Sequence, residues 1–274
     1  MDVATFDTND VAFEAIAEGK LSFAVSEQTY LQGALPVMMA SIFASTSKKI
    51  VPPTASKTHV YQAGPKIITL KNLPSSTMQT CEKDGFPVCP NTRDITGQES
   101  SCECTERNKI KIGGVIHGVK TDSFWDPIFS AFDIAAKDMN IDLLLDRFEP
   151  ISNQTQLHEK MSQKMRSLCD QDIKGLIITI PSTVVVPGIK HCQRLNIPIV
   201  SINTGIDLAV ELGLVHHVGM LEYDAGLGAG ERLIQAGMTR GICLDHEPGN
   251  SALMDRCNGF EEAIKRTNGA VVSF

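Results

Sequence analysis

Hydrophobic positions along this chain recur in two alternating rhythms. Short apolar runs such as Ile110–Ile116, Leu176–Ile180 and Ile199–Ile202 have the length and branched side chains of buried strands. Between them lie longer stretches with helical spacing. In 124–139, Ile128, Phe132, Ala135 and Met139 fall at i, i+4, i+7 and i+11, one stripe on a helix. From residue 109 onward the pattern predicts strands at Ile110–Ile116, Ile141–Leu145, Leu176–Ile180, Ile199–Ile202, Val215–Val218, Gly241–Asp245 and Val271–Phe274. It predicts helices over 124–139, 153–168, 184–194, 222–236 and 251–267. Alternating β and α with right-handed crossovers makes an α/β fold, a doubly wound parallel sheet covered on both faces. Such sheets bind ligands beyond the carboxyl ends of their strands. That rule nominates Thr121–Trp125, Thr179–Thr183, Asn203–Gly205, Met220–Tyr223 and Glu247–Asn250.

Upstream the rhythm is less regular. A strand stub, Val3–Phe6, precedes a helix that Asn9 or Asp10 can cap, carrying Val11, Phe13, Ala15 and Ile16 and stopped by Gly19. Leu21–Val25 reads as a strand and Leu31–Ala44 as a helix. Val51–Pro53 and Ser56–Thr58 read as loop, Gly64-Pro65 as a turn, and Lys66–Leu70 as a strand. Opening directly on a strand suggests a chain that begins within a domain. Residues 76–108 then form a linker, poor in aliphatics, with Cys81, Cys89, Cys102 and Cys104. Their C-x7-C and C-x-C spacings do not match zinc knuckles, and no metal site is expected. Disulfides in an oxidising compartment suit a segment with so little core, with solvated free thiols as the alternative. Cys243 and Cys257 flank the EPGN turn as either a bridge or two buried thiols. Asn153-Gln154-Thr155 is a glycosylation sequon, weakly consistent with secretion.

Composition narrows the function. The net charge of −7 and an aromatic content of 5% argue against a nucleic-acid surface, which needs clustered cations and stacking rings. The longest apolar run, Gly33–Ser45, falls short of the roughly 20 residues that span a bilayer. The acidic N-terminus has no apolar segment of signal-peptide type, so either the protein is cytosolic or its native start lies upstream of Met1. Catalytic signatures fail one by one. Asp245-His246-Glu247 and His216-His217 sit on strand ends, where neighbouring side chains alternate faces and do not converge. The glycine-rich stretch 226–231 lies inside a helix, and no H-E-x-x-H, G-x-S-x-G or P-loop is present. The reading is a protein that is not an enzyme and needs no cofactor.

Residues 109–274 resemble the N-terminal part of the type I periplasmic sugar-binding proteins, the ribose-binding group. The resemblance is carried by GGVIHGVKTDSFWDPIFSAFDIAAKDMNIDL, KGLIITIPS, LNIPIVSINTG, HHVGMLEYDAGLGAGERL and CLDHEPGNSALMDRCNGFEEAI. Residues 1–75 resemble the C-terminal part of the same family through FDTNDVAFEAIAEGKLSFAVSEQTYLQGALPV and QAGPKIITLKN. The implied organisation is a module tail (1–75), a Cys-rich linker (76–108) and the N-terminal lobe of a second module (109–274), with an incomplete second lobe. The resemblance implies non-catalytic binding of a sugar or sugar-like ligand in a cleft between lobes, by an extracellular or periplasmic protein serving a transporter permease. The same fold serves as the sensor ectodomain of membrane receptors and as the effector domain of sugar-responsive transcription regulators. The last would require a helix-turn-helix before Lys109, and the linker is not one.

By position in the family pattern, Phe124 and Trp125 are implied to sandwich a sugar ring beside Asp122. Asn203 and Thr204 stand where Asp-Arg is usual, and Leu221 replaces a common Asp. Arg256 matches a hinge-proximal ligand-binding Arg. Asp7 and Glu27 match hydroxyl-binding positions of the second lobe, with Gln more usual at 27 and Ser26 replacing a common Asp. The tail is expected to dock as in a circular permutation, with Leu31–Ala44 against the 109–260 sheet and Glu27 brought near Trp125 and Arg256.

Overall fold

The computed structural model describes residues 3–45, 59–73, 109–247, 249–267 and 270–273. Cys81, Cys89, Cys102 and Cys104, and the loop readings at 51–58, lie outside the described residues. The larger lobe holds the strands β3 (His59–Gln62), β5 (Ile110–Val115), β6 (Ile141–Leu145), β7 (Gly175–Ile178), β8 (Ile199–Ile202) and β9 (His216–Gly219). Its helices are α2 (Thr29–Ser45), α3 (Asp126–Asp138), α4 (Gln154–Cys169), α5 (Val186–Arg194) and α6 (Ile206–Glu211). The smaller lobe holds β1 (Ala4–Phe6), α1 (Asp10–Ala17), β2 (Phe23–Ser26), β4 (Lys66–Ile68), α7 (Glu222–Gln235), β10 (Arg240–Cys243), α8 (Ser251–Lys265) and β11 (Ala270–Ser273).

The six-stranded sheet runs β3-β9-β8-β7-β5-β6, parallel throughout. Its strand order reverses between β5 and β7, because the chain leaves β5 for β6 on one side and returns to β7 on the other. Helices α4 and α5 cover one face through Leu157, Met161, Met165 and Ile189, over Val115, Leu176 and Ile178. Helix α3 covers the other face with Ile128, Phe132 and Ala135, three members of the stripe read from the sequence.

Beside α3, on that same face, lies α2. It buries Val37 and Ala40 against Ile112, Ile177 and Val200 of the sheet. At about 1.5–3 kcal/mol per large side chain fully removed from water, this contact anchors the N-terminal segment. Gly33 permits it, since a Cβ there would lie 2.4 Å from the Ile128 carbonyl oxygen. The docking expected for Leu31–Ala44 is thus what the fold adopts. Two of its apolar residues, Met38 and Ile42, face solvent instead, because the helix presents only one side to the sheet.

In the smaller lobe β1 and β2 pair in parallel, β2 and β4 antiparallel, and β10 and β11 form a separate pair. Helices α7 and α8 pack Ala225, Leu233, Phe260 and Ile264 on Phe23 and Val25. They cross with backbones almost touching: a Cβ on Gly226 would lie 2.0 Å from the Arg256 carbonyl, and one on Gly259 2.0 Å from that of Tyr223. The lobe is small and leaves Ile242 and Leu244 of the β10 region exposed.

Among the described residues two disulfides staple the fold. Cys243–Cys257 ties β10 to α8, resolving the alternative left open by the sequence. Cys169–Cys192 joins the end of α4 to α5 across 23 residues, a closure that typically contributes about 3 kcal/mol. Nothing in its spacing announces it.

His217 of β9 is buried, with Nδ1 2.9 Å from the Ser201 hydroxyl, and burial holds its pKa down at about 4. Burial, with His158 adding, holds His117 at about 3. These folded values lie below the ordinary 6.5. Their contribution to stability is therefore full above that pH and is lost as pH falls toward 4 and 3. The contribution of these two histidines to stability against urea should be flat above pH 7 and fall steadily below 6.5, opposite in sign to that of the carboxyls of Asp7 and Glu222, whose pKa burial raises. His217→Asn, which keeps a partner for Ser201, should lower the acid-unfolding midpoint by roughly half a unit. An unchanged midpoint would remove His217 from the acid response.

Candidate functional site

The two lobes meet at the carboxyl ends of β5 and β8, beside the point where strand order reverses. They enclose a cavity of about 200 Å³, far more than the 10–15 Å³ or so that one water requires. Asp7, Glu27, Asp122, Phe124, Trp125, Asn203 and Arg256, the residues singled out from the sequence, all line it.

Each is placed by local structure. Beyond β5 the chain turns into Ser123–Trp125, a 3-10 turn capped by Asp122, whose Oδ1 accepts from the Phe124 amide at 3.0 Å. Arg147 pins this loop by donating to the carbonyls of Val119, at 2.6 Å, and Asp122, at 2.5 Å, while pairing with Asp126. Trp125 is buried with α3 in the core, yet an edge reaches the cavity. Its indole stands edge-on to His117, centroids 4.6 Å apart, and to Phe124 at 5.1 Å. These aromatics therefore belong to the core and line the cavity at once.

Asp7, at the end of β1, and Asn203, at the end of β8, adopt left-handed backbone conformations with φ of 81° and 61°. Asn and Asp tolerate that region better than other residues with a Cβ, and such outliers concentrate where a side chain must be aimed. Gln28, just past Glu27, has φ 57°.

Arg256 sits near the start of α8, where Asn250 is the N-cap. Its Nε donates to Glu222, 2.5 Å away, and its Nη2 donates to Glu27. The guanidinium also lies over the Phe6 ring, 4.7 Å from the centroid. Burial alone would lower its pKa, but Glu27 and then Glu222 outweigh it and hold the group charged. Burial pushes the Glu222 carboxyl above the usual carboxylate range, against the pull of Arg256. Glu27 also accepts from Asn203 Nδ2 at 2.9 Å, a bond from one lobe to the other. A second such bond runs from Thr204 Oγ1 to Asn250 Oδ1 at 2.8 Å.

His117, Gln154, His246, Glu247 and Asn250 also line the cavity. Of this remaining wall, Glu247 and Asn250 fall in the strand-end turn nominated from the sequence, whereas His117, Gln154 and His246 were not nominated. Asp245-His246-Glu247 corrects the sequence reading: β10 stops at Cys243, so 246 and 247 lie in a turn and both reach the cleft. His117 receives its orientation from Thr179, whose Oγ1 accepts from the His117 amide at 3.0 Å and lies 2.7 Å from Nδ1. The other ring nitrogen, Nε2, lies 4.0 Å from Glu247. The nominated turns at 179–183 and 220–223 do not line the cavity; Thr179 and Glu222 support residues that do. Among the described residues no cluster could hold a metal ion.

Comparison with known proteins agrees with this architecture. The family described as periplasmic binding proteins and sugar binding domain of LacI family matches residues 109–270, more than half of the chain. A carbohydrate transporter from Acidothermus cellulolyticus, solved in complex with myo-inositol, is 28% identical with a TM-score of 0.55, over 61% of this chain and 55% of that one. A periplasmic sugar-binding protein from Legionella pneumophila (22%, TM-score 0.54, 61% and 60%) shares the fold. So does GanP, a glucose-galactose binding protein from Geobacillus stearothermophilus (22%, 0.51, 61% and 58%). The chain thus spans 55% to 60% of the length of these structures. No curated protein matches the sequence.

Proposed function

Because the chain belongs to the family of periplasmic binding proteins and LacI-type sugar-binding domains, we propose that it binds a sugar or related polyol, without transforming it, between its two lobes. The observation that carries this reading is the joint wall of one cavity, aromatic at Phe124 and Trp125 and hydrogen-bonding at Asp7, Asp122, Asn203 and Glu247. A sugar offers an apolar CH face and a rim of hydroxyls, and that wall has a surface for each. The similarity to the myo-inositol-bound transporter component supports the same ligand class.

The ligand contacts fall to Asp122, Phe124, Trp125 and Asn203 from the larger lobe and Asp7, Glu27 and Arg256 from the smaller. The division into a module tail (1–75), a linker (76–108) and an N-terminal lobe (109–274) remains our reading of the chain's organisation. Delivery to a membrane permease is the role that best accords with the similar structures, a carbohydrate transporter and a periplasmic sugar-binding protein of an ABC transporter. The two disulfides favour an oxidising compartment, periplasmic or extracellular.

Trp125 is the only tryptophan in the chain, so its fluorescence reports directly on the cleft. Titration with hexoses, pentoses and myo-inositol should produce a saturable spectral shift with at least one of them. Trp125→Phe should abolish the signal while calorimetry still detects binding, weakened by roughly tenfold as ring area is lost. A panel that gives neither fluorescence change nor heat would overturn the sugar reading.

A further inference from the structure

The polar wall of the cleft is unevenly supplied with donors and acceptors. Arg256 has Nε committed to Glu222 and Nη2 to Glu27. The Asn203 amide donates to Glu27, and that of Asn250 donates to Glu247 at 2.9 Å. On the acceptor side, the Asp7 carboxylate accepts no hydrogen bond among the described residues, and only Oδ1 of Asp122 and Oε2 of Glu247 are engaged. Asp7, Glu27, Asp122 and Glu247 thus face a space whose one fixed cation, Arg256, is already paired with two carboxylates.

We propose that the ligand carries positive charge, as a sugar bearing a protonated amine, with the ammonium held by Asp7 and Asp122 and the sugar ring against Phe124 and Trp125. This rests on the sugar reading of the same cleft. An ammonium supplies three donors to the oxygens of Asp7 and to Asp122 Oδ2, which have no donor among the described residues, and its charge offsets the half-buried Asp7 carboxylate beside the exposed Asp122. The crowding is visible at Asp7: burial first, then Glu27 and Asp122, raise its pKa to about 6 against the opposing pull of Arg256 and His246. An acidic sugar would add a fifth negative charge to the same space and be rejected.

The test is calorimetric titration of the full chain at about pH 7.5, where Asp7 is ionised. The probes are matched trios, glucose with glucosamine and glucuronate, and galactose with galactosamine and galacturonate, with putrescine as a ring-free cation. A hexosamine should bind at least about tenfold tighter than its parent hexose, and neither hexuronate should bind. Asp7→Asn combined with Asp122→Asn, its fold checked by circular dichroism, should reduce that preference below about threefold. A hexose binding as tightly as its hexosamine, or a hexuronate binding at all, would overturn the charge assignment while leaving the sugar reading intact. Putrescine binding with no sugar bound would do the reverse.

Discussion

Replacing Arg256 by methionine should cost the protein about 3–5 kcal/mol of folding stability, the expected effect of stranding buried charge. Glu27 and Glu222 are almost wholly enclosed, with side-chain exposures of 1% and 4%, and Arg256 is the cation that pairs with both. Methionine roughly fills the volume but leaves two carboxylates facing each other in a medium that solvates them poorly. They would take up protons, so the loss should be greatest near neutral pH and smaller in acid. The same substitution removes the group that ties Glu27 in place, so ligand affinity should fall with stability. Urea unfolding near neutral pH measures the first effect and calorimetry the second. Coupling Arg256→Met with Glu27→Leu and Glu222→Leu removes all three charges and should recover stability to within about 1 kcal/mol of the parent. A single Arg256→Met variant that loses less than about 1 kcal/mol would mean that water reaches the triad.

Gly33→Leu should be nearly as damaging, at about 3 kcal/mol or more. The new Cβ would meet the Ile128 carbonyl at 2.4 Å and the Ala131 Cβ at 2.7 Å, and a carbonyl inside α3 cannot yield as a flexible side chain can. Either α2 and α3 separate or α2 leaves the sheet and exposes Val37. Trp125 shares that core, so its emission should shift to longer wavelength together with the drop in unfolding midpoint. Ile42→Leu, on the exposed face of the same helix, should change stability by less than about 0.5 kcal/mol. If Gly33→Leu were equally silent, α2 would not be packed against α3 at Ile128 and Ala131.

The alternation of strand and helix after residue 109 was legible because each element carries its own period. The stripe Ile128, Phe132, Ala135 and the apolar runs of β7 and β8 need no partner to be recognised. Two elements escaped for opposite reasons. β3 has no such run, and it is a strand only because β9 pairs with it. α6, with six residues, is shorter than the window over which a helical period can be counted.

The site divides in the same way. Asp7, Glu27 and Arg256 could be nominated only through family resemblance, since nothing local distinguishes them from surface charges. His117 sits within an apolar run, and Asn250 looks like any helix cap until Thr204 and Glu247 are seen to converge on it. Glu247 was reached by the strand-end rule, but His246 was not, because its neighbours were read as alternating on a strand where the chain had already turned. Those residues are aimed by contacts between distant segments, and no window of sequence contains such contacts.

That distance also has a cost in time during synthesis. Glu27 and its partner Asn203 are 176 residues apart, and α2 rests on strands made long after it. At about 5–20 residues per second, translation would leave the emerged N-terminal segment waiting roughly 10–35 s for the surface that covers it. During that interval Val37 and its apolar neighbours on α2 lack the strands β5, β7 and β8 that cover them in the finished fold. Expression yield should accordingly depend on chaperone supply more steeply than the stability of the finished protein would suggest.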